Sequence, residues 1–169
     1  MKLYEITQAS NPPKGTFIGV KLDAESKQKI INLIAKLKLQ EPIPEEKLHS
    51  TLVYSDKKTL DGFTSNTNFG EGNYPKATPV NFSVFPNSQN PGTGCLVMEL
   101  DSDYLHSRHD EIVSKYDVQE KFPTYRPHIT LSYNYSGEPP DEKYLKDLGE
   151  LNIETEYDEP INDNFAKSL

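Results

Sequence analysis

The sequence contains one cysteine, Cys95, no tryptophan and only two arginines, Arg108 and Arg126. A single thiol permits no internal disulfide and fits a reducing compartment. Nothing near Cys95 would activate it as a nucleophile, so it reads as a buried thiol on a strand. No run of eighteen apolar residues occurs, which excludes a membrane-spanning helix. The opening MKLYEITQAS lacks an apolar signal core, so the chain is expected to stay in the cytoplasm. Basic residues number 18 against 26 acidic ones, a formal net charge of −8, and no basic run appears. Binding a long nucleic acid requires several phosphates to be neutralised together along a basic stripe. A phosphate-bearing ligand of this chain would therefore be small and held in a local pocket. The hydrophobic fraction is a modest 34%, and 13 prolines with 9 glycines imply many turns. A length of 169 residues suits one domain, 1–169, of two small lobes sharing a core.

Histidine is also scarce, yet two of the four fall in one repeated pattern. His49-Ser50-Thr51-Leu52-Val53-Tyr54 returns as His128-Ile129-Thr130-Leu131-Ser132-Tyr133, both reading H-x-T-L-x-Y. Runs of β-branched and aromatic residues favour strands. Strand alternation puts His49, Thr51 and Val53 on one face, with Leu52 and Tyr54 on the other. The second copy sets His128, Thr130 and Ser132 against Ile129, Leu131 and Tyr133. Tyr54 and Tyr133 are thus expected in the core, away from the histidines. A lone strand histidine is more often structural than catalytic. Two histidines placed identically in matching strands point instead to a site with twofold pseudo-symmetry.

Thr16–Leu22 reads as a first strand, and Asp23 as the cap of a helix with its apolar stripe at Ile30, Ile31, Leu33, Ile34 and Leu37. Pro42 and Pro44 break that helix before the first motif. Residues 55–74 read as loop, 76–85 as a strand with Val80, Phe82 and Val84 alternating, and 87–94 as a turn or loop. Cys95–Leu100 is the next strand. Asp101 or Ser102 caps a helix to about Tyr116 that carries Leu105, Ile112 and Val113 inward. An extended, proline-fixed approach then leads into the second motif. A short helix over 141–148, a closing strand with Ile153, Thr155 and Tyr157, and an acidic tail complete the chain. Strand, helix and motif strand thus occur in that order twice. The fold expected is α+β: two pseudo-symmetric lobes of mostly antiparallel sheet with outer helices, facing each other across a cleft.

Two imidazoles supply an acid and a base near neutral pH, because histidine titrates near 6.5. Two threonine hydroxyls beside them can donate to the non-bridging oxygens of one tetrahedral anion. These parts suit in-line displacement at phosphorus, one histidine taking a proton from the attacking oxygen and the other protonating the departing one. The pattern does not say which histidine takes which role. Metal ligation fares poorly, since no H-E-x-x-H, paired cysteines or Asp-rich loop adjoins either motif. His106 and His109 lie three apart on the second helix without a third ligand, so they read as a solvated surface.

The paired H-x-T motifs, with the second inside Arg126-Pro127-His128-Ile129-Thr130-Leu131, resemble the two-histidine phosphoesterase superfamily. That superfamily includes RNA 2′,5′ ligase-like proteins, 2′,3′-cyclic phosphodiesterases and phage enzymes that destroy cyclic-nucleotide signals. Small size, acidic charge and the Pro42-Ile43-Pro44 lead into His49 are most similar to the phage anti-CBASS phosphodiesterases. The resemblance implies His49, Thr51, His128 and Thr130 as the catalytic set, with neither metal nor cofactor. It implies cleavage of 3′–5′ bonds in a small cyclic oligonucleotide such as 3′,3′-cGAMP, in the host cytoplasm if phage-encoded. Two alternatives stand beside it: an RNA 2′,3′-cyclic phosphodiesterase or 2′,5′ ligase-like enzyme, and a binding protein that sequesters the nucleotide uncleaved. For base recognition the candidates are Tyr74 and Tyr125 as stacking surfaces, Arg126 for phosphate, and Glu156 as an acceptor on the closing strand.

Overall fold

A computed structural model describes residues 13–87 and 92–162. Its elements are β1 (Gly15–Leu22), α1 (Ala24–Leu37), β2 (Ser50–Ser55), β3 (Lys76–Pro86), β4 (Gly94–Asp101), α2 (Asp103–Tyr116), β5 (His128–Tyr135) and β6 (Leu151–Ile161). Single 3-10 turns occupy Glu45–Lys47 and Glu142–Leu145, so the short helix expected over 141–148 reduces to one turn. Part of the 87–94 loop and the acidic tail lie outside the described residues.

Capping fixes where both helices begin. The Asp23 carboxylate accepts from the Ser26 N–H at 2.8 Å and from the Asn152 amide at 2.8 Å. Burial alone would raise this carboxyl, but those bonds outweigh it and hold Asp23 below the usual range. At α2 the Ser102 hydroxyl accepts from the Leu105 N–H, satisfying a donor the first turn leaves unpaired. Each helix ends on a left-handed residue, Lys38 or Asp117.

Ile30 and Leu33 of α1, with Leu105 and Ile112 of α2, pack against Ile18, Val20, Leu22, Leu96, Met98 and Leu100 in one core. Burying each such side chain contributes roughly 1.5–3 kcal/mol. His109 is buried among them, 5% exposed, whereas His106 is exposed. The solvated pair expected from sequence is therefore corrected for His109. It falls four residues after Leu105 and three before Ile112, squarely on the inward stripe.

All strand pairs are antiparallel, and the sheet closes in the order β1-β2-β5-β4-β3-β6. The halves β6-β1-β2 and β3-β4-β5 are related by the twofold pseudo-symmetry expected of the repeat. One half takes its third strand from before its strand–helix–strand unit, the other from the far end of the chain. The halves meet at two seams. At one, β3 and β6 share the pairs Lys76–Asn152 and Ala77–Leu151. At the other, β2 and β5 share a single pair, Ser50–Ile129. One sheet face carries the helices; the other carries a separate small cluster of Phe17, Ile161 and Tyr157.

The alternation expected for β3 breaks between Pro79 and Asn81, where the register shifts. Pro79 cannot donate to the ladder, and Val80 turns outward, 45% exposed, while Phe82 stays buried.

Candidate active site

The two motif strands share an irregularity that their sequences do not announce. On β2 the partners run Ile18–Val53 and then Gly19–Thr51, leaving Leu52 unpaired. On β5 they run Leu96–Ser132 and then Val97–Thr130, leaving Leu131 unpaired. The leucine of each H-x-T-L is thus the extra residue of a β-bulge, which points two successive side chains the same way. Leu52 and Val53 are both buried, as are Leu131 and Ser132. The next residue in each strand then returns to the histidine face. Val53 and Ser132, expected beside the histidines, face the core; Tyr54 does not, and Tyr133 packs against the core only in part. Tyr54 is 41% exposed and packs edge-on to Phe17, while Tyr133 lines a cleft with His49.

Continuing the antiparallel Ser50–Ile129 register by one residue each way sets His49 opposite Thr130 and Thr51 opposite His128. The four side chains lie on the face opposite buried Ser50 and Ile129. The imidazoles are anchored alike. Nδ1 of His49 lies 2.8 Å from the Lys47 carbonyl, and Nδ1 of His128 lies 2.8 Å from the Arg126 carbonyl. A carbonyl only accepts, so Nδ1 carries the proton in each ring and Nε2 is left for chemistry.

An aromatic edge braces each ring as well. Phe17 meets His49 at 5.7 Å, and Phe85 meets His128 at 4.8 Å, both nearly perpendicular. Burial holds His128 below the usual histidine range, and the nearby charge of His49 acts in the same direction. The Arg126 carbonyl and Glu99 oppose this without overcoming it.

The surroundings differ between the two rings. Beside His49 an open cleft is lined by Phe17, Lys21, Lys47, Tyr133 and Tyr157. Gly19 permits this arrangement, because a Cβ there would meet the Tyr157 ring at 3.0 Å. Beside His128, Arg126 lies over the Phe85 ring at 4.8 Å and donates from Nε to Glu99 at 2.8 Å. That bond, reinforced by one from the Ser83 hydroxyl, holds the Glu99 carboxyl below its usual range against the effect of burial.

Of the four ligand-binding candidates, Arg126 lies beside His128. Tyr125 is near the site but occupied: its ring stacks on His109 at 4.0 Å, His106 meets it edge-on, and its hydroxyl donates to the Thr51 carbonyl at 2.8 Å. It is no free platform for a base. Tyr74 precedes Pro75, whose carbonyl accepts from Ile153. That places it at the β3–β6 seam, across the closed sheet from the motifs. Glu156 is buried on the helix side, accepting from Arg108, Tyr104 and the Asn66 N–H. A register shift between Lys21 and Leu22 offsets β6, leaving Tyr157 on the cleft face and Glu156 beneath α2. Sequence reasoning missed Phe17, Lys21, Tyr157 and Phe85. Phe17 and Lys21 were readable as the off-core positions of β1, whose Ile18, Val20 and Leu22 form the core. Among the described residues, no three His, Cys, Asp or Glu side chains gather as a metal-binding group.

The fold has counterparts among solved structures. A structure titled phosphoesterase matches 86% of the chain and 87% of its own at a TM-score of 0.50 and 15% identity. The protein TT0787 of Thermus thermophilus matches 85% and 82% at a TM-score of 0.51 and 15% identity. The chain shares its fold with both structures. The model of a narrower family, described as anti-CBASS protein Acb1, matches residues 14–168. Anti-CBASS protein Acb1 of Yersinia phage phiR1-RT is 32% identical over 157 residues, 92% of this chain and 94% of that protein. Its counterpart in Enterobacteria phage T4 is 30% identical over 159 residues, 92% and 93% of the two chains. The chain belongs to the Acb1 family of anti-CBASS proteins.

Proposed function

We propose that this protein is an anti-CBASS phosphodiesterase whose residues 1–169 act as one bilobal domain on a small cyclic oligonucleotide, breaking a 3′–5′ phosphodiester bond without a metal ion. The observation that carries the reading is the pair of imidazoles anchored through Nδ1, each facing the other motif's threonine across the Ser50–Ile129 pair. His128, whose titration burial holds below the usual histidine range, takes the proton of the attacking oxygen on Nε2. That oxygen bonds to phosphorus, the bond to the departing ribose oxygen breaks, and Nε2 of His49 protonates the departing oxygen. Thr51 and Thr130 donate to the non-bridging oxygens as charge builds on them. Each proton transfer accounts for ~10²–10⁴-fold in rate.

Arg126, held at Glu99 and Phe85, offers its remaining N–H groups to a phosphate on the His128 side. Tyr157, braced by the buried Phe17, presents aromatic surface to a base on the His49 side, with Lys21 over its ring. The site of action is the cytoplasm of the infected cell. Incubation with cyclic dinucleotides, cyclic trinucleotides and RNA oligomers in EDTA, followed by chromatography, tests the reading. Linear products from the cyclic substrates are expected. Loss of turnover on chelation overturns the metal-free mechanism, preference for the RNA oligomer overturns the substrate class, and recovery of intact bound ligand favours sequestration.

A further inference from the structure

The two motif strands share one ladder pair, Ser50–Ile129, and one pair cannot by itself fix the distance and tilt between strands. A bulge sits beside that pair on each strand, and bulges leave backbone groups without ladder partners. The structure supplies those partners reciprocally. The segment entering the first motif binds the second motif strand: the Ile43 N–H donates to the bulge carbonyl of Leu131 at 2.9 Å, and the Ser132 hydroxyl donates to the Gln40 carbonyl at 2.7 Å. The first motif strand is held in turn by side chains, one from the segment entering the second motif and one from α2. The Tyr125 hydroxyl donates to the Thr51 carbonyl, and Nδ1 of His109 donates to the bulge carbonyl of Leu52 at 2.7 Å. The two rings stack at 4.0 Å and 1° between planes, and Glu120 binds Nε2 of His109. His109, Glu120 and Tyr125 thus join α2, the 117–127 segment and the first motif strand.

We infer that Tyr125 and His109 are positioning residues for the phosphodiester cleavage proposed above: by holding the Thr51 and Leu52 carbonyls, they aim the Thr51 hydroxyl at the phosphate opposite His128. The asymmetry between the halves supports this. On β5 the bulge carbonyl is held by a backbone N–H and the strand's own Ser132 hydroxyl reaches Gln40; on β2 both carbonyls are held by side chains of other elements, the buried His109 imidazole and the half-buried Tyr125 phenol. A displacement of about 1 Å at a positioned group costs on the order of 10²-fold in rate, so one hydrogen bond from Tyr125 suffices to be felt in turnover.

The inference rests on the proposed activity, and its test has an arm that does not. Amide hydrogen exchange of Tyr125→Phe, which keeps the stacked ring and removes only the hydroxyl, is expected to quicken at least tenfold in residues 50–54 and to stay unchanged in 129–133. Unchanged exchange in 50–54 overturns the inference whether or not substrate is turned over. In turnover, Tyr125→Phe is expected to lower kcat about tenfold with KM within twofold. In a Thr51→Ala background the same substitution is expected to cost less than about twofold, because coupled residues are non-additive. Equal costs in both backgrounds overturn the route through Thr51. His109→Asn keeps a donor where Nδ1 stood and is expected to retain most of the turnover that His109→Ala loses. Equal loss in the two His109 variants assigns that residue to packing alone and overturns its part. Wild-type enzyme inactive on every cyclic substrate would instead refute the proposed function, with the exchange arm still deciding the inference.

Discussion

Replacing Glu156 by glutamine separates a folding role from a ligand-binding one. The carboxylate accepts from Nε and Nη2 of Arg108 at 2.8 and 3.0 Å, from the Tyr104 hydroxyl, and from the Asn66 N–H at 2.8 Å. Its side chain has no exposure. Glutamine keeps one acceptor oxygen but turns an N–H₂ toward donors and leaves the guanidinium with the exposed Glu111 in place of its buried anion. Breaking a buried charge pair from one side costs about 3 kcal/mol. For a chain of this size that is a fall of roughly 6–12 °C in Tm, read by circular dichroism. The pH dependence has a definite sign. Burial pushes the Glu156 carboxyl up, but the bonds from Arg108, Asn66 and Tyr104 outweigh it and leave the folded value depressed. Its contribution is present above the ordinary glutamate value and lost as pH falls through the depressed one. Wild type should therefore lose its advantage over Glu156→Gln as the solution is acidified. KM below the transition should remain within twofold, because Glu156 lies off the cleft. An unchanged Tm with KM raised tenfold would refute this account and return Glu156 to the ligand.

His49→Ala and His128→Ala should each lower kcat at least ~10²-fold while leaving binding largely intact; near-normal turnover in either would make the repeat structural. If His128 is the base, its depressed titration places the acid limb of the kcat/KM profile below the ordinary histidine value of about 6.5, and a limb above that value would contradict the assignment. Among the described residues Ser50 Oγ is buried without a hydrogen-bond partner, so Ser50→Ala should raise stability by about 1 kcal/mol; a fall in Tm would mean the hydroxyl is bonded after all.

Much of the fold was legible because its signals are local. Asp23 and Ser102 mark helix starts by their own side-chain chemistry. The stripe Ile30–Leu33 follows from helical spacing, and the H-x-T repeat is visible without a partner strand. What stayed hidden depends on pairing. Tyr54, Tyr133 and Val80 each lie at or just past a register shift, and strict alternation puts all three on the wrong face. Glu156 and Tyr157 were distinguishable only once β6 was paired with β1 and offset from it. His109 departs from expectation for a different reason. Its position on the stripe of Leu105 and Ile112 is plain in the sequence, but its polarity argues for solvent, and position prevails because the Leu52 carbonyl and Glu120 satisfy both ring nitrogens.

The bulge ties the repeat to its chemistry more closely than the histidines alone suggest. Had Leu52 and Leu131 paired in register, strict alternation would bring Val53 and Ser132 onto the cleft face beside the imidazoles and send the tyrosines into the core. The extra leucine instead sinks two consecutive side chains into the core and turns a tyrosine back to the histidine face, once in each half. One motif therefore encodes a strand that donates an imidazole, a hydroxyl and an aromatic ring from the same face within six residues. Because each bulge leaves carbonyls that the ladder cannot satisfy, each strand also needs a donor from outside its own pairing. The donors come from the approach to the other motif and, at Leu52, from α2, so neither half of the site is complete without the other. A pseudo-symmetric sheet joined at the motifs by one pair of residues thereby holds two imidazoles in a fixed relation, as the proposed reaction demands.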